Sequence, residues 1–319
     1  MSILRGKEIL VTGGGGFLGT HVVEALENST YGPKKILVPR TSEGIDLRRV
    51  EDCRRVVEGT DYVIHLAANV GGIGKNQRLP GTLFYDNVLM GTHMMEEARV
   101  AGIDKFVAVG TVCAYPKYTE VPFREDNLWE GYPEETNAPY GLAKKMLLVQ
   151  AQAYRMQYGF NAIYLMPVNL YGPKDSFDLE DSHVIPALVR KFHEARVRRL
   201  PSVDVWGTGK ATREFLYVKD AAEGIVLALE RYNGPEPVNL GSAFEISIGE
   251  LAEMISRISR YSGTINFDSS KPDGQPRRKL DTSKAEEKFG FKSKTPFEEG
   301  LAETIAWYER EIASKTFRA

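Results

Sequence analysis

Glu8-Ile9-Leu10-Val11-Thr12-Gly13-Gly14-Gly15-Gly16-Phe17-Leu18-Gly19 is the stretch from which the fold can be read. A short apolar run breaks on four glycines, and an amphipathic pattern follows, with Leu18, Val22 and Leu26 spaced four apart on one face. Strand, glycine turn and helix in direct succession make a place for a phosphate. The glycines of a G-x-x-G-x-x-G pattern fall at Gly13, Gly16 and Gly19. A Cβ there would hold a pyrophosphate away from the amides of the helix N-terminus, and the last glycine lets helix and strand pack closely. Gly13, Gly14, Gly15, Gly16, Phe17, Leu18 and Gly19 therefore read as a dinucleotide loop, against the alternative of a plain flexible turn.

Outward from this unit the rhythm repeats. Lys35–Val38, Asp61–Leu66, Lys105–Val109 and Ala162–Met166 are nearly continuous in apolar content, as strands are when helices cover both faces of a parallel sheet. Helical patterns separate them, over about Thr82–Val100 and Pro139–Tyr158, the latter with proline at its start and Gly159 just past its end. The expected fold is α/β, a doubly wound parallel (Rossmann) sheet with a second, smaller, mostly helical domain. Residues 169–205 read as loop-rich and basic. A helix over Val218–Arg231 and a strand over Pro237–Leu240 return to the sheet, and Ile248–Ser314 reads as mostly helical with a loop at Ser269–Lys279. The expected dinucleotide domain is 1–168 plus about 217–245, and the substrate domain about 169–216 plus 246–319.

The 319 residues fit about two domains of roughly 150 residues each. With 42% hydrophobic and 26% charged residues the chain is of ordinary globular composition. Forty-one basic against 43 acidic side chains leave a net charge of −2, which argues against a nucleic-acid binder but leaves room for a local basic pocket. Cys53 and Cys113 are too few for a disulfide framework. The start, Met1 to Lys7, lacks the apolar core of a signal peptide, and no run approaches the roughly eighteen apolar residues of a membrane span. The expectation is a cytoplasmic protein with no membrane partner. His21, His65, His93 and His193 show no metal-ligand spacing, so no metal is expected.

The second strand ends Val38-Pro39-Arg40, without the carboxylate that would bond an NAD ribose. Arg40 would instead clamp a 2'-phosphate, so the expected cofactor is NADP(H); the alternative is NAD held by Asp46. Further on, Tyr140 and Lys144 form Y-x-x-x-K, one helical turn apart. An ammonium beside a phenol favours the phenolate, and the same lysine can hold a ribose. Thr111 falls at the carboxyl end of a strand, where open parallel sheets bind their ligands. Its hydroxyl can bond a substrate carbonyl or cap the following turn.

The glycine loop with Thr111, Tyr140, Lys144 and the string Arg213-Glu214-Phe215-Leu216-Tyr217-Val218-Lys219-Asp220 resembles the extended short-chain dehydrogenase/reductase family, whose members act mostly on nucleotide-sugars. Longer strings resemble the branch that epimerises and reduces GDP-4-keto-6-deoxymannose to GDP-L-fucose. They are His65-Leu66-Ala67-Ala68, Val70-Gly71-Gly72-Ile73, Cys113-Ala114-Tyr115-Pro116-Lys117, Met166–Pro173, Ser182–Leu188 and Val205-Trp206-Gly207.

The resemblance implies Cys113 and His183 as an acid-base pair. Cofactor contacts would come from Val109, Gly110, Thr111, Val112, Lys144, Pro167, Val168, Asn169, Leu170 and His183. Substrate contacts fall on Lys191, Trp206, Arg213 and Asp273, and a homodimer is implied through the two long helices. Thr111 stands where the family usually has serine. Two other readings stay open: a 4-reductase or 4-epimerase without chemistry at C3 and C5, and a non-catalytic NADP-binding sensor.

Overall fold

The computed structural model describes residues 2–28, 32–179, 181–271 and 273–316. Met1 and Ala319, the outer limits expected for the two domains, lie outside them. The first half alternates as the periodicity requires: β1 (Glu8–Thr12), α1 (Phe17–Glu27), β2 (Lys35–Leu37), α2 (Val50–Val57), β3 (Tyr62–His65), α3 (Ile73–Arg78), α4 (Pro80–Val100), β4 (Lys105–Val109), α5 (Ala138–Tyr158) and β5 (Ala162–Pro167). Proline opens both long helices and Gly159, in the left-handed conformation, closes α5.

The second half holds β6 (Asn169–Tyr171), α6 (Val184–Arg198), β7 (Ser202–Trp206), β8 (Thr212–Tyr217), α7 (Val218–Arg231), β9 (Pro237–Leu240) and β10 (Glu245–Ser247). It ends with α8 (Ile248–Ile258), β11 (Thr264–Asp268), β12 (Arg277–Arg278), α9 (Ser283–Phe289) and α10 (Phe297–Thr316). The reading of residues 169–205 as loop-rich is corrected by α6. Its arginines and lysines form the outer side of a helix whose Ile185, Leu188, Val189, Phe192 and Ala195 are buried.

Six parallel strands form the central sheet in the order β2-β1-β3-β4-β5-β9. Helix α1 packs on α7, whereas α2 packs on α4 and α4 on α5, giving the two helical layers of a doubly wound sheet. The chain leaves β1 toward one edge and β3 toward the other, which opens a crevice at their carboxyl ends. The glycine loop lies there.

A second hydrophobic cluster gathers α6, α8, α10 and two small sheets, β7 with β11 and β8 with β6, β10 and β12. Strand β8 serves both cores: Leu216 faces the sheet cluster, Phe215 and Tyr217 the other. Leu280, Ala285, Phe289 and Phe291, grouped with the second unit by sequence, pack into the first. Buried carboxylates tie the crossings. Glu214 accepts backbone N–H bonds from Ser242, Ala243 and Leu280, and Asp220 accepts from Ser293, Lys294 and Thr295.

Candidate active site

The glycine loop divides its labour by position. Gly13 has a φ of +71°, and a Cβ on it would meet the Ala67 nitrogen at 2.7 Å. Gly19 presses α1 onto the loop so closely that its Cβ would sit 2.0 Å from the Gly13 carbonyl oxygen. Gly15 and Gly16 face outward: Gly16 caps α1 without a side-chain hydrogen bond, and no acid stands in the first turn. That open, uncapped N-terminus suits a phosphate group.

Beside it the Arg40 Nε lies 3.9 Å from where a Gly15 Cβ would be, and the guanidinium has no hydrogen-bond partner among the described residues. Asp46, the alternative ribose ligand, is gripped by the Arg48 guanidinium at 2.8 and 2.9 Å, which holds its carboxyl down near 2. The pocket thus fits a 2'-phosphate better than a bare ribose. Arg40→Ala is expected to lower kcat/KM for NADPH relative to NADH by about 10- to 100-fold, the range of a charge-assisted bond; steady-state rates with both cofactors check it.

Two further strand ends complete the crevice. At β4, Gly110 leaves space for Tyr164: a Cβ would lie 2.1 Å from the Tyr164 hydroxyl, which donates to the Lys144 carbonyl at 3.0 Å. Gly110 therefore places α5. Thr111 caps the turn Val112–Ala114 by accepting from the Cys113 N–H at 3.2 Å. Val109 and Val112 turn their side chains into the core, so only their backbone faces the crevice. Helix α5 approaches the same turn through Gly141, where a Cβ would strike the Cys113 carbonyl oxygen at 2.4 Å. That contact sets Tyr140 beside Cys113. At β5, Pro167 and Val168 are buried, the Val168 N–H donates to Leu240, Leu170 packs on the core, and Asn169 donates to the Glu214 carbonyl at 3.0 Å.

Electrostatics correct one expectation. Burial raises the Tyr140 phenol well above its ordinary range, with the Cys113 thiol adding to the rise. Burial lowers the Lys144 ammonium to about 8. Desolvation outweighs any help the ammonium gives a phenolate, so Tyr140 keeps its proton. Behind them His65, hydrogen-bonded to Thr12 at 2.8 Å, is pushed down to about 3 by burial and the Lys144 charge and stays neutral.

His183 caps α6. Its segment docks on the loop after β3: the Gly72 N–H donates to Asp181 at 2.7 Å, and a Gly72 Cβ would lie 2.5 Å from the Ser182 carbonyl oxygen. The Val70-Gly71-Gly72-Ile73 string is thereby packed against the segment that leads into His183. The residue is exposed at its surface, yet the protein around its imidazole desolvates it enough to lower it below the ordinary range.

On the second unit, Trp206 ends β7 with 63% of its surface exposed, and Lys191 and Lys271 place their ammonium groups 5.7 and 5.6 Å from its ring. Arg213 donates to the carbonyls of Thr212 and Asp273. Both Asp273 carboxylate oxygens accept from Thr208, so this residue orders the turn beside Trp206. Sequence reading missed Arg278, which stands opposite Arg213 in the β12–β8 register. It also missed Asn239, whose bonds to Tyr115, Phe123, Glu125 and Asp281 fix the segment following Cys113.

Residues 9–241 match the NAD dependent epimerase/dehydratase family. The chain belongs to it. Among the curated members of this epimerase/dehydratase family, the chain is 41% identical to the GDP-L-fucose synthase of Sinorhizobium fredii, with 98% of this chain and 99% of the relative covered. It is 40% identical to probable GDP-L-fucose synthase 1 of Oryza sativa subsp. japonica, covering 97% and 94%. The crystal structure of a GDP-L-fucose synthetase from Naegleria fowleri bound to NADP superposes with a TM-score of 0.88 at 30% identity, covering 98% of this chain and 97% of that one.

Proposed function

We propose that this protein is an NADP-dependent epimerase-reductase that converts GDP-4-keto-6-deoxymannose to GDP-L-fucose. The observation that carries the reading is the packing of Cys113, Thr111 and Tyr140 around one turn, above an uncapped phosphate-binding helix with Arg40 beside it. A ketone at C4 acidifies the C–H bonds at C3 and C5. Thr111 and Tyr140 bond the C4 oxygen and stabilise the enolate formed when either proton leaves. Cys113 and His183 exchange those protons with the two faces of the ring. Bound NADPH supplies a hydride for C4. Tyr140 then donates its proton to the C4 oxygen, a task for which the protonated phenol favoured by burial is the required form. Lys144 orients the ribose of the cofactor.

Arg213, Lys191 and Trp206 bind the GDP moiety, the cations on diphosphate oxygens and the indole against a ring. Glu214, Asp220 and Asn239 brace these elements from behind. The substrate unit takes about residues 169–216 and 246–319, apart from the stretch from Leu280 to Phe291 that packs into the dinucleotide unit of 1–168 and about 217–245. We further read α4 and α5 as the face between two copies in a cytoplasmic homodimer, since Phe84, Tyr85, Met146 and Val149 are exposed there. Among the described residues no helix is long and apolar enough to cross a membrane.

NADPH oxidation on addition of GDP-4-keto-6-deoxymannose, with no oxidation on addition of GDP-mannose, tests the assignment; no oxidation with either removes it. The same assay reads a pH dependence. Lys144 works as an ammonium, and its proton is held below about 8 and lost above. Expected, therefore, is a kcat/KM that falls tenfold per pH unit on the alkaline side of about 8. Lys144→Arg, charged throughout, abolishes that limb whatever its residual rate.

A further inference from the structure

Strands β7 and β11 pair in parallel register, so partners across the ladder lie on the same face of this two-stranded sheet. Val203 and Val205 turn inward to the core of the second unit, which leaves Asp204 and Trp206 on the outer face. On that face the pairs touch: Asn266 donates to its partner Asp204 at 3.2 Å. The next pair is Asp268 with Trp206, so a carboxylate stands beside the exposed indole. A turn starts there, closed by the Lys271 N–H donating to the Asp268 carbonyl at 3.1 Å. It brings the Lys271 ammonium back to 5.6 Å from the indole ring. One Asp268 oxygen accepts from the N–H and the hydroxyl of Ser270. The other oxygen and the Lys271 ammonium have no hydrogen-bond partner among the described residues. Lys191, the second cation at this ring, is taken by the Asp204 carbonyl at 2.9 Å.

An indole stacks on any base, because every base offers a π-face. Choice among bases must come from polar groups at the rim of the ring, and here these are one free anion and one free cation. We propose that Asp268 and Lys271 are specificity-determining residues that read the edge of a guanine stacked on Trp206. Lys271 donates to O6 and N7, both acceptors, and the free Asp268 oxygen accepts from N1–H and the N2 amine. Adenine reverses this edge: it turns an amine toward the ammonium and a bare N1 lone pair toward the carboxylate. The corner is tied to the cation assigned to the diphosphate. Arg213 donates to the Asp273 carbonyl, and the Asp273 carboxylate holds Thr208, two residues beyond Trp206. The proposal rests on reading the substrate as GDP-linked, and it makes the base, rather than the sugar, what this corner selects.

Calorimetric binding of GDP and of ADP to the full chain tests it without turnover. The wild-type protein is expected to hold GDP at least about 30-fold more tightly than ADP. Lys271→Ala and Asp268→Ala are each expected to weaken GDP about tenfold, the size of one base-edge contact, while ADP stays within about twofold. Asp268→Ala is the sharper variant: removing a negative charge near a diphosphate strengthens binding unless that charge bonds the base. Equal wild-type affinities for GDP and ADP overturn the proposal. So does a parallel loss of both nucleotides in Lys271→Ala, which would put the ammonium on the diphosphate, or unchanged or tighter GDP binding in Asp268→Ala. The wild-type ratio decides even if a variant does not fold. A protein that prefers GDP but leaves NADPH unoxidised with GDP-4-keto-6-deoxymannose would lose the proposed reaction and keep the base reading. Turnover of that sugar by a protein that binds GDP and ADP alike would do the reverse.

Discussion

Tyr140→Phe is expected to lower kcat for NADPH oxidation by about a thousandfold while leaving NADPH binding within a few-fold of wild type. The phenyl ring fills the same space against the Cys113 turn, so packing is kept and only the hydroxyl goes. In the reduction that hydroxyl delivers the proton that the new alkoxide needs. Removing a positioned general acid costs typically two to four orders of magnitude. Thr111→Ala should cost less, because Tyr140 still bonds the oxygen. Absorbance at the NADPH band gives the rate and a fluorescence titration the affinity. Unchanged turnover in Tyr140→Phe would assign the proton to another group.

The second large effect is expected at Gly19. A methyl group there would sit 2.0 Å from the Gly13 carbonyl oxygen and 2.6 Å from the Gly14 Cα. Both are backbone atoms of the turn that carries the phosphate amides, so no flexible side chain can give way. Helix α1 must move off the loop by an ångström or more, taking the amides of Phe17 and Leu18 with it. Overpacking of this kind costs about 1–3 kcal/mol or more. Gly19→Ala is therefore expected to lower NADPH affinity at least about a hundredfold and to lower Tm by several degrees. Gly81→Ala is the matched control: it lies in α4 with nothing within 4 Å of the added atom, and both quantities should stay put. Calorimetry of both variants with and without NADPH separates the two effects. Wild-type affinity in Gly19→Ala would mean that the loop is not the phosphate site.

What could be read from the chain alone follows from how local each signal is. The β1 strand, its glycines and α1 lie within twenty residues, and Tyr140 and Lys144 share one helical turn. Their geometry is therefore carried by short-range periodicity. Helix α6 was legible in principle: Ile185, Leu188, Val189 and Phe192 keep a helical period, but the arginines around them read as solvated loop. Arg278 gave no such signal. It lies on a two-residue strand whose partner, Arg213, is far away in sequence, and only the register brings the two guanidiniums together. Asn239 and Glu214 are likewise buried polar groups whose partners are distant in the chain. The protonation of Tyr140 escaped for a different reason. A lysine four residues on suggests a phenolate, yet burial decides, and burial depends on everything packed around the helix.

Turnover in deuterium oxide bears most directly on whether one activated ketone serves both epimerisation and reduction. With GDP-4-keto-6-deoxymannose and protiated NADPH, the product should carry deuterium at both C3 and C5, above a protein-free control, and protium at C4. Product reduced at C4 but unlabelled at C3 and C5 would contradict this and leave a plain 4-reductase.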